Sequence, residues 1–269
     1  MEETKMSNIA IGSIIVGLLI GILIVVLGLN FFGVIDIEGL PKANSTSHVL
    51  IIGEPSVEEK VILDNLSYNF TYNQRSAASF GSTASEELMQ YDIVLLDQSS
   101  LADKSVTAAF STGLTNYVKK GGKVIVVKNS GVYFDMGLGN TSSDVVGWEA
   151  SFGEIMPVEC ILGSDTEPVC AEGKEINVVA RIRSNDLSSK IMQGIEIAPP
   201  VGDTPLELST FAVQTSNGAK LIATIESENT TARYPAIVEK KSGLGTIIYF
   251  NYNPGLTPGV LKNTLDYLK

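Results

Sequence analysis

Continuous runs of apolar residues, rather than alternating ones, mark the strands that the sequence predicts from position 48 onward. The run HVLIIG begins at His48, the run YDIVLLD covers 91–97, and the run KVIVVK covers 123–128. A segment with helical periodicity follows the first run, and another over 106–120 follows the second. Apolar runs that alternate with helices are typical of parallel strands buried on both faces. The pattern therefore predicts an α/β fold with a doubly wound, flavodoxin-like sheet.

The last third of the chain predicts an antiparallel extension of that sheet. Residues 211–225 are expected to form a hairpin around an Asn-Gly turn, and residues 232–252 a second hairpin. A short helix is expected at Leu187–Met192, and a closing helix begins with Pro258 at its first position. Residues 132–182 do not follow the strand and helix pattern. We interpret them as an insertion or as further antiparallel strands at the edge of the sheet.

An apolar stretch from Ile9 to Phe32 contains no charged side chain. As a helix rising 1.5 Å per residue it would reach about 36 Å, enough to cross a hydrocarbon core of about 30 Å with some tilt. It is longer than the apolar region of a cleavable signal peptide, and no small-x-small cleavage site follows it. We therefore expect an uncleaved transmembrane helix with the lipid bilayer as its partner.

The flanks of this stretch predict its orientation. Lys5 precedes it, whereas Asp36 and Glu38 follow it, which is a weak positive-inside asymmetry. We expect a single-pass protein of the cell membrane with its amino terminus in the cytoplasm. The predicted segments are a cytoplasmic tail (1–8), a transmembrane helix (9–33), a linker (34–47) and an extracytoplasmic α/β domain (48–269).

Small residues recur within the apolar stretch at every fourth position. Ser13, Gly17 and Gly21 would lie on one face of the helix and would allow a second helix to approach closely. The other interpretation is that glycine is simply frequent in membrane helices. The first interpretation predicts a homo-oligomer or a partner subunit in the membrane or at the cell surface.

Charge and asparagine motifs restrict the class of partner. The formal net charge is -11 at pH 7, and no basic stripe is present that could neutralise phosphates, which excludes a nucleic-acid partner. Five N-x-[ST] motifs all follow the apolar stretch, and they predict a glycosylated cell-surface protein. These motifs begin at Asn44, Asn65, Asn69, Asn140 and Asn229.

The two cysteines of the chain, Cys160 and Cys170, flank a Gly-Ser-Asp turn. Apolar residues on both sides of the turn predict a hairpin, and in an oxidising compartment the two thiols are expected to form a disulfide across it. A metal site is not expected, because two thiols with only the distant His48 do not make a zinc ligand set.

Two stretches resemble the class I glutamine-amidotransferase-like superfamily. They are YDIVLLDQSSLADKSVTAAFSTGLTNYVKKGGKVIVVKNSG at 91–131 and YPAIVEKKSGLGTIIYFNYNP at 234–254, the second followed by a terminal helix. The order of elements is similar to that of a degenerate branch with trehalose-utilisation-like proteins and the auxiliary domains of gliding-type ABC transporters. The resemblance implies an amidotransferase-like fold over 48–269, with the insertion unaligned.

Amidotransferases of this fold use a Cys in the tight turn after a central strand, with a His and a Glu downstream. The matching turn here begins at Lys128 and carries Asn129 or Ser130 at the nucleophile position, and no histidine follows His48. The resemblance therefore implies a domain without glutaminase activity. Ser130 would need a carboxylate as its base, and otherwise the turn is only a connection from strand to loop.

The carboxyl ends of the predicted parallel strands bring several polar residues to one edge of the sheet, where ligands bind in open α/β folds. This crevice set consists of Glu54, Ser56, Asp97, Gln98, Ser99, Asn129 and Ser130. The set is acidic and lacks a glycine-rich phosphate loop, so a glycan, a peptide or a cation suits it better than a nucleotide. No cofactor is expected, and an unoccupied crevice is the alternative.

These observations lead to three hypotheses about function. The first is a membrane-anchored surface protein whose glycosylated ectodomain is a non-catalytic binding or assembly module, such as an accessory subunit of a membrane complex. The second is a divergent serine hydrolase that uses Ser130. The third is a structural component of a cell-surface layer.

Overall fold

The computed structural model describes residues 17, 18, 20–29, 46–135 and 145–269. The chain divides into two compact units, Met1–Ser45 and Thr46–Lys269. In the first unit the described residues are helical, and large apolar side chains such as those of Leu18, Ile20 and Leu23 are exposed. Among the described residues, no helix is both long enough and apolar enough to cross a membrane.

Several sequence predictions concern positions outside the described ranges. These are most of the predicted 9–33 span and 34–47 linker, together with Ser13, Asn44 and Asn140. Gly17 and Gly21 are described and exposed, and a Cβ added at either would meet no neighbouring atom within 4 Å. A contact between helices at these glycines remains a prediction, as does the division of the chain into segments.

The second unit is built around a large mixed sheet. The strands of this unit are β1 (Ser47–Gly53), β2 (Phe70–Arg75), β3 (Ile93–Asp97), β4 (Ser105–Thr107), β5 (Lys123–Val127), β6 (Tyr133–Asp135), β7 (Val145–Val146), β8 (Val158–Glu159), β9 (Ile176–Ser184), β10 (Ile197–Ala198), β11 (Leu206–Thr210), β12 (Gln214–Thr215), β13 (Lys220–Ser227), β14 (Arg233–Ser242) and β15 (Gly245–Phe250). Within the described part of the chain, the main sheet has ten of these strands in the order β10-β9-β13-β14-β15-β5-β3-β1-β2, and β11 also pairs with β9.

Five neighbouring strands of the main sheet, β2, β1, β3, β5 and β15, are parallel. From β15 onward the strands β14, β13 and β9 pair antiparallel, and they form the predicted extension. The chain leaves β1 toward β2 on one side and then continues to β3 on the other. The point between β1 and β3 is therefore the switch point of the sheet, where α/β folds usually bind ligands.

Strand β1 shows why the apolar runs are continuous. Its residues Val49, Leu50, Ile51 and Ile52 are all fully buried. Val49 and Ile51 belong to the core on one face of the sheet, whereas Leu50 and Ile52 belong to the core on the other. A strand covered on both faces needs apolar side chains at every position. The predicted α/β fold with a mostly parallel, doubly covered sheet is confirmed at this level.

Helices cover both faces. They are α1 (Val57–Asn65), α2 (Ala84–Leu88), α3 (Ala108–Lys119), α4 (Trp148–Phe152) and α5 (Pro258–Leu268). Buried side chains of α1 and α5, such as Leu63 and Leu261, pack on one face of the sheet. Phe110 of α3 and Trp148 of α4 pack on the other. The three layers agree with the doubly wound architecture.

The region predicted as an insertion contains the disulfide and contributes strands to two small sheets, which β4 and β12 complete from outside it. Strands β4, β6 and β7 form one small sheet, and β8 pairs with β12 in the other. Cys160 and Cys170 are bonded, with Cα atoms 5.5 Å apart, and Leu162 pairs antiparallel with Pro168 inside the loop. The predicted disulfide across a hairpin is confirmed.

Two local predictions in the last third are wrong. Leu187–Met192 forms turns instead of a helix, because the carboxylate of Asp186 accepts bonds from the backbone and hydroxyl of Ser188. Such side-chain bonds compete with helix formation. The expected 211–225 hairpin is absent from the described pairing, since β12 pairs with β8 and β13 is held between β14 and β9. The second hairpin, β14–β15, is confirmed.

Candidate functional site

The ends of β1 and β3 are bonded directly to each other at the switch point. The backbone N–H of Glu54 donates to the carbonyl of Asp97 at 2.7 Å. Gly53 makes this approach possible, because its φ is +105° and a Cβ there would lie 2.1 Å from the Asp97 carbonyl oxygen. The backbone pairing of the two strands therefore continues one residue beyond the end of β1.

Ser130 is a hydrogen-bonded link between two loops at this edge. Its Oγ donates to the carbonyl of Val127 at 2.6 Å and accepts from the backbone N–H of Gln98 at 2.7 Å. The indole Nε1–H of Trp148 donates to the Ser130 carbonyl at 2.9 Å. Ser130 is fully buried, and its hydroxyl proton is directed to a main-chain oxygen rather than to a base. This arrangement supplies none of the activation that a nucleophilic serine needs.

Gln98 completes the link from the other side. Its Oε1 accepts from the backbone N–H of Gly131 at 2.9 Å, and its Nε2 donates to the carbonyl of Ser105 at 3.2 Å. Gly131 has a φ of +68°, and a Cβ there would lie 2.6 Å from the Phe152 ring. The amide of Gln98 and the hydroxyl of Ser130 thus join the loop after β3 to the loop after β5, with Gly131 providing the close approach.

A buried pair of carboxyl groups, those of Glu59 and Asp97, lies at the same edge of the sheet. Glu59 is fully buried in the first turn of α1, and Asp97 is 1% exposed at the end of β3. Burial raises the pKa of Glu59 to about 9, together with the charge of Asp97 and a hydrogen bond to it. Two carboxyl groups share a hydrogen bond only when one is protonated. The proton on Glu59 would also satisfy its Oε1, which otherwise has no partner among the described residues.

The other oxygen of Glu59 completes a capping box that the sequence analysis did not identify. Glu59 Oε2 accepts from the backbone N–H of Ser56 at 2.7 Å, and Ser56 Oγ accepts from the backbone N–H of Glu59 at 3.1 Å. Ser56 Oγ also donates to Asn253 Oδ1 at 3.1 Å. The S-x-x-E spacing just before an apolar segment was the signal in the sequence that could have identified this box.

The crevice set therefore lies together as predicted but is mostly enclosed. Asp97, Gln98, Asn129 and Ser130 are buried, and only Glu54 is fully exposed. The remaining members, Ser56 and Ser99, are partly buried, and Ser99 donates its backbone N–H to Asp97 Oδ1 at 2.9 Å. Among the described residues there is no cluster of three or more His, Cys, Asp or Glu arranged for a metal ion. Ligand binding by this set remains a prediction.

Lys128 is the residue at the turn after β5 that sequence reasoning missed. Its φ of +51° is unusual for a non-glycine residue, and its Nζ donates to Ser209 Oγ at 3.1 Å. Burial lowers the pKa of Lys128, whereas the neighbouring Glu175 and Asp97 oppose that effect. The left-handed residues of the turn are therefore Lys128 and Gly131, not Asn129 or Ser130. A lysine that ends a buried apolar strand was the available signal.

A groove lies further along the same edge of the sheet, on the antiparallel extension. We call it the β9–β11 groove, and its volume is about 880 Å³. Its lining residues are Ile176, Asn177, Val178, Val179, Glu207, Leu208, Ser209, Ser227, Asn229, Thr230, Thr231, Ala232 and Tyr234. The hydroxyl of Ser209 joins the groove to Lys128. A second cavity of about 790 Å³ lies beside α4 and Lys240.

Comparison with known proteins identifies the fold and no more. No known protein family and no curated protein matches this chain. Among solved structures, a cytoplasmic protein of Salmonella typhimurium LT2 shares 15% identity with a TM-score of 0.55, over 82% of this chain and 99% of that chain. A second cytoplasmic protein of Salmonella typhimurium shares 14% identity with a TM-score of 0.53, over 82% and 98%.

A ThuA-like protein of Parabacteroides merdae is also among the similar structures. It shares 13% identity with a TM-score of 0.49, over 83% of this chain and 90% of that chain. At these identities a likeness in structure concerns the fold alone. The α/β fold that the amidotransferase-like resemblance implied is present, and the resemblance assigns no activity to it.

The carboxyl pair predicts an unusual dependence of stability on pH. Because the pKa of Glu59 is higher in the folded chain than its ordinary value of 4.5, its contribution to stability is complete below about pH 4.5 and is lost as pH rises toward 9. We expect Glu59→Gln to remove this loss, since the amide keeps the shape, cannot ionise and can donate to Asp97. Urea unfolding at pH 5, 7 and 9 should show a flatter profile for the variant.

Glu58→Gln is the matched control for this experiment. Glu58 lies in the same turn of α1 but is exposed, and its pKa is lowered by bonds to its own backbone and to Ser56. Its variant should keep the wild-type slope between pH 5 and 9. A wild-type protein whose stability does not fall over this range, or a Glu59→Gln variant with the same fall, would contradict the protonated pair.

Proposed function

We propose that this chain is a membrane-anchored surface protein whose amidotransferase-like domain is a non-catalytic binding or assembly module. The observation that carries the proposal is the state of Ser130, whose hydroxyl is buried and bonded to Val127 and Gln98. The nucleophile turn of the fold has become a structural connection, and it has neither a cysteine nor a partner histidine. What remains is a stable domain with a groove on its surface.

Anchoring and location are supported by the sequence. The apolar stretch over 9–33 has the length and composition of a membrane helix, and the net negative charge suits a solvated exterior. The disulfide between Cys160 and Cys170 is of a kind that persists in oxidising compartments. Of the five N-x-[ST] motifs, those at Asn65 and Asn229 present an exposed asparagine, and that at Asn69 a partly exposed one.

A role as an accessory subunit is the most specific form of this proposal. The exposed glycines Gly17 and Gly21 would meet a partner helix in the membrane, and the β9–β11 groove would be presented outside. In this arrangement the first unit provides attachment and the second provides recognition. The alternatives are a serine hydrolase that uses Ser130 and a component of a cell-surface layer.

The non-catalytic proposal predicts that a serine-directed fluorophosphonate probe does not label Ser130. The full-length protein, solubilised in mild detergent, would be incubated with the probe and digested, and labelled peptides would be located by mass spectrometry. No label is expected on the peptide that contains Ser130, because its hydroxyl is buried and has no base. Label at Ser130 that Ser130→Ala abolishes would instead establish the hydrolase alternative.

The accessory-subunit proposal predicts a partner that is lost when the helix face is changed. Native membranes would be cross-linked, extracted in mild detergent and captured through a tag on the carboxyl terminus. We expect a stoichiometric partner, or a second copy of the chain, with the wild type. Gly17→Ile together with Gly21→Ile should reduce this capture, since larger side chains prevent close approach.

The matched control changes the two neighbouring residues, which lie on another face of the stretch, without changing side-chain size. Leu18→Ile and Ile22→Leu alter side chains without adding bulk at the glycine positions. Capture that the glycine variant and this control change equally would contradict a contact at Gly17 and Gly21. Recovery of large regular assemblies of the chain alone would support the surface-layer alternative.

A further inference from the structure

The β9–β11 groove has the mixed chemistry of a sugar-binding surface. Val178 and Tyr234 are partly exposed and provide apolar surface, and both pack against the core on this face of the sheet, to which the buried Leu208 belongs. Asn177 and Ser209 add neutral polar groups to the lining, in which Glu207 is the charged residue. A sugar ring has an apolar face of C–H groups and a perimeter of hydroxyls, and both could be satisfied here. A volume of about 880 Å³ lies within the usual range for ligand sites.

An asparagine glycosylation motif forms part of the same lining. Asn229, Thr230 and Thr231 lie in the turn that joins β13 to β14, and all three line the groove. Asn229 and Thr231 are exposed. Among the described residues no hydrogen bond engages the side-chain amide of Asn229 or the hydroxyl of Thr231. The two groups that this modification requires are therefore free and accessible.

The other two motifs in the described residues differ in their surroundings. Asn65 is the last residue of α1, and Asn69 precedes β2 and is partly buried. Neither lines the β9–β11 groove. A glycan at Asn65 or Asn69 would extend from the opposite side of the sheet, where β2 is the edge strand. Of the three described motifs, the one that lines the β9–β11 groove is therefore that at Asn229.

We propose that Asn229 carries an N-linked glycan and that the first sugars of this glycan lie in the β9–β11 groove. The inference rests on the proposed function, because it needs the domain to be outside the cytoplasmic membrane. The apolar face of a sugar would cover Val178 and Tyr234, while Asn177 and Ser209 would form hydrogen bonds with its hydroxyls. The groove is then filled by the chain's own modification rather than by a free ligand.

The modification itself consumes a glycosyl phosphate donor of the cell. The amide nitrogen of Asn229 forms a bond to the anomeric carbon of the donor sugar and loses one proton to solvent. The bond from that carbon to the phosphate oxygen breaks, and the phosphate leaves with the electron pair. No oxidant or reductant is required.

The test compares glycan occupancy with protection of the groove. Full-length protein from its native membranes would be digested, and the peptides that contain Asn65, Asn69 and Asn229 would be examined for attached sugars. Thr231→Ala removes the motif and leaves the asparagine, whereas Thr231→Ser keeps the motif. Hydrogen exchange of backbone amides in 176–179 and 207–209 would then be measured for each protein.

We expect sugar on Asn229 in the wild type and in Thr231→Ser. Exchange in the two groove segments should be several-fold faster in Thr231→Ala, because its groove is uncovered. Wild type made in a host without N-glycosylation should match Thr231→Ala, which shows that the missing sugar rather than the alanine causes the change. Ser67→Ala, which removes the motif at Asn65, should leave exchange in the groove unchanged.

Two results would overturn the inference while the proposed function stands. One is an unmodified Asn229 in protein that carries sugar at Asn65 or Asn69. The other is a modified Asn229 whose removal leaves exchange in the groove unchanged. If none of the three asparagines is modified, the inference also fails.

The surface location is then tested separately by protease treatment of intact cells, since an external domain is digested and a cytoplasmic one is protected.

Discussion

The conformation of the loops at the switch-point edge of the sheet depends on the hydrogen bonds that join the loop after β3 to the loop after β5. Ser130 and Gln98 form reciprocal links across the two loops, and Glu54 bonds directly to Asp97 at the neighbouring pair of strand ends. Buried polar networks of this kind are costly to disrupt, because each group removed leaves another without a partner. The network lies at the edge of the sheet where doubly wound folds usually bind ligands. There it engages the polar groups of Gln98 and Ser130 with the protein itself.

The buried carboxyl pair is compatible with this closed edge. Glu59 and Asp97 are both buried, and the raised pKa of Glu59 favours its protonated form, in which the pair can stay out of water without a cation. An ionised pair would be expensive at this depth, since burial and mutual repulsion act in the same direction. The same glutamate also caps α1. The side chain of Glu59 thus caps α1 and also interacts with Asp97 at the end of β3.

The sequence predicted the central layers well because their signals are local and strong. The continuous apolar runs at 48–53, 91–97 and 123–128 required strands covered on both faces, and Cys160 and Cys170 were close enough to predict their bond. The partner of β12 was not predictable, since its pairing with β8 depends on a contact distant in sequence. The hydrogen bonds of Ser130 were not predictable either, because the sequence Lys-Asn-Ser-Gly does not reveal the backbone conformation of the turn. The β9–β11 groove depends on a strand order that local patterns do not specify.

Native-state hydrogen exchange tests most directly whether the edge at the switch point is closed. The amide of Gln98 donates to Ser130 Oγ, and that of Gly131 donates to Gln98 Oε1. Exchange of both amides would be followed at increasing, sub-denaturing urea. The account predicts that they exchange only through global unfolding, with the urea dependence of the whole domain. Rapid exchange of these amides that is independent of urea would show an edge that opens locally, and it would contradict the closed edge.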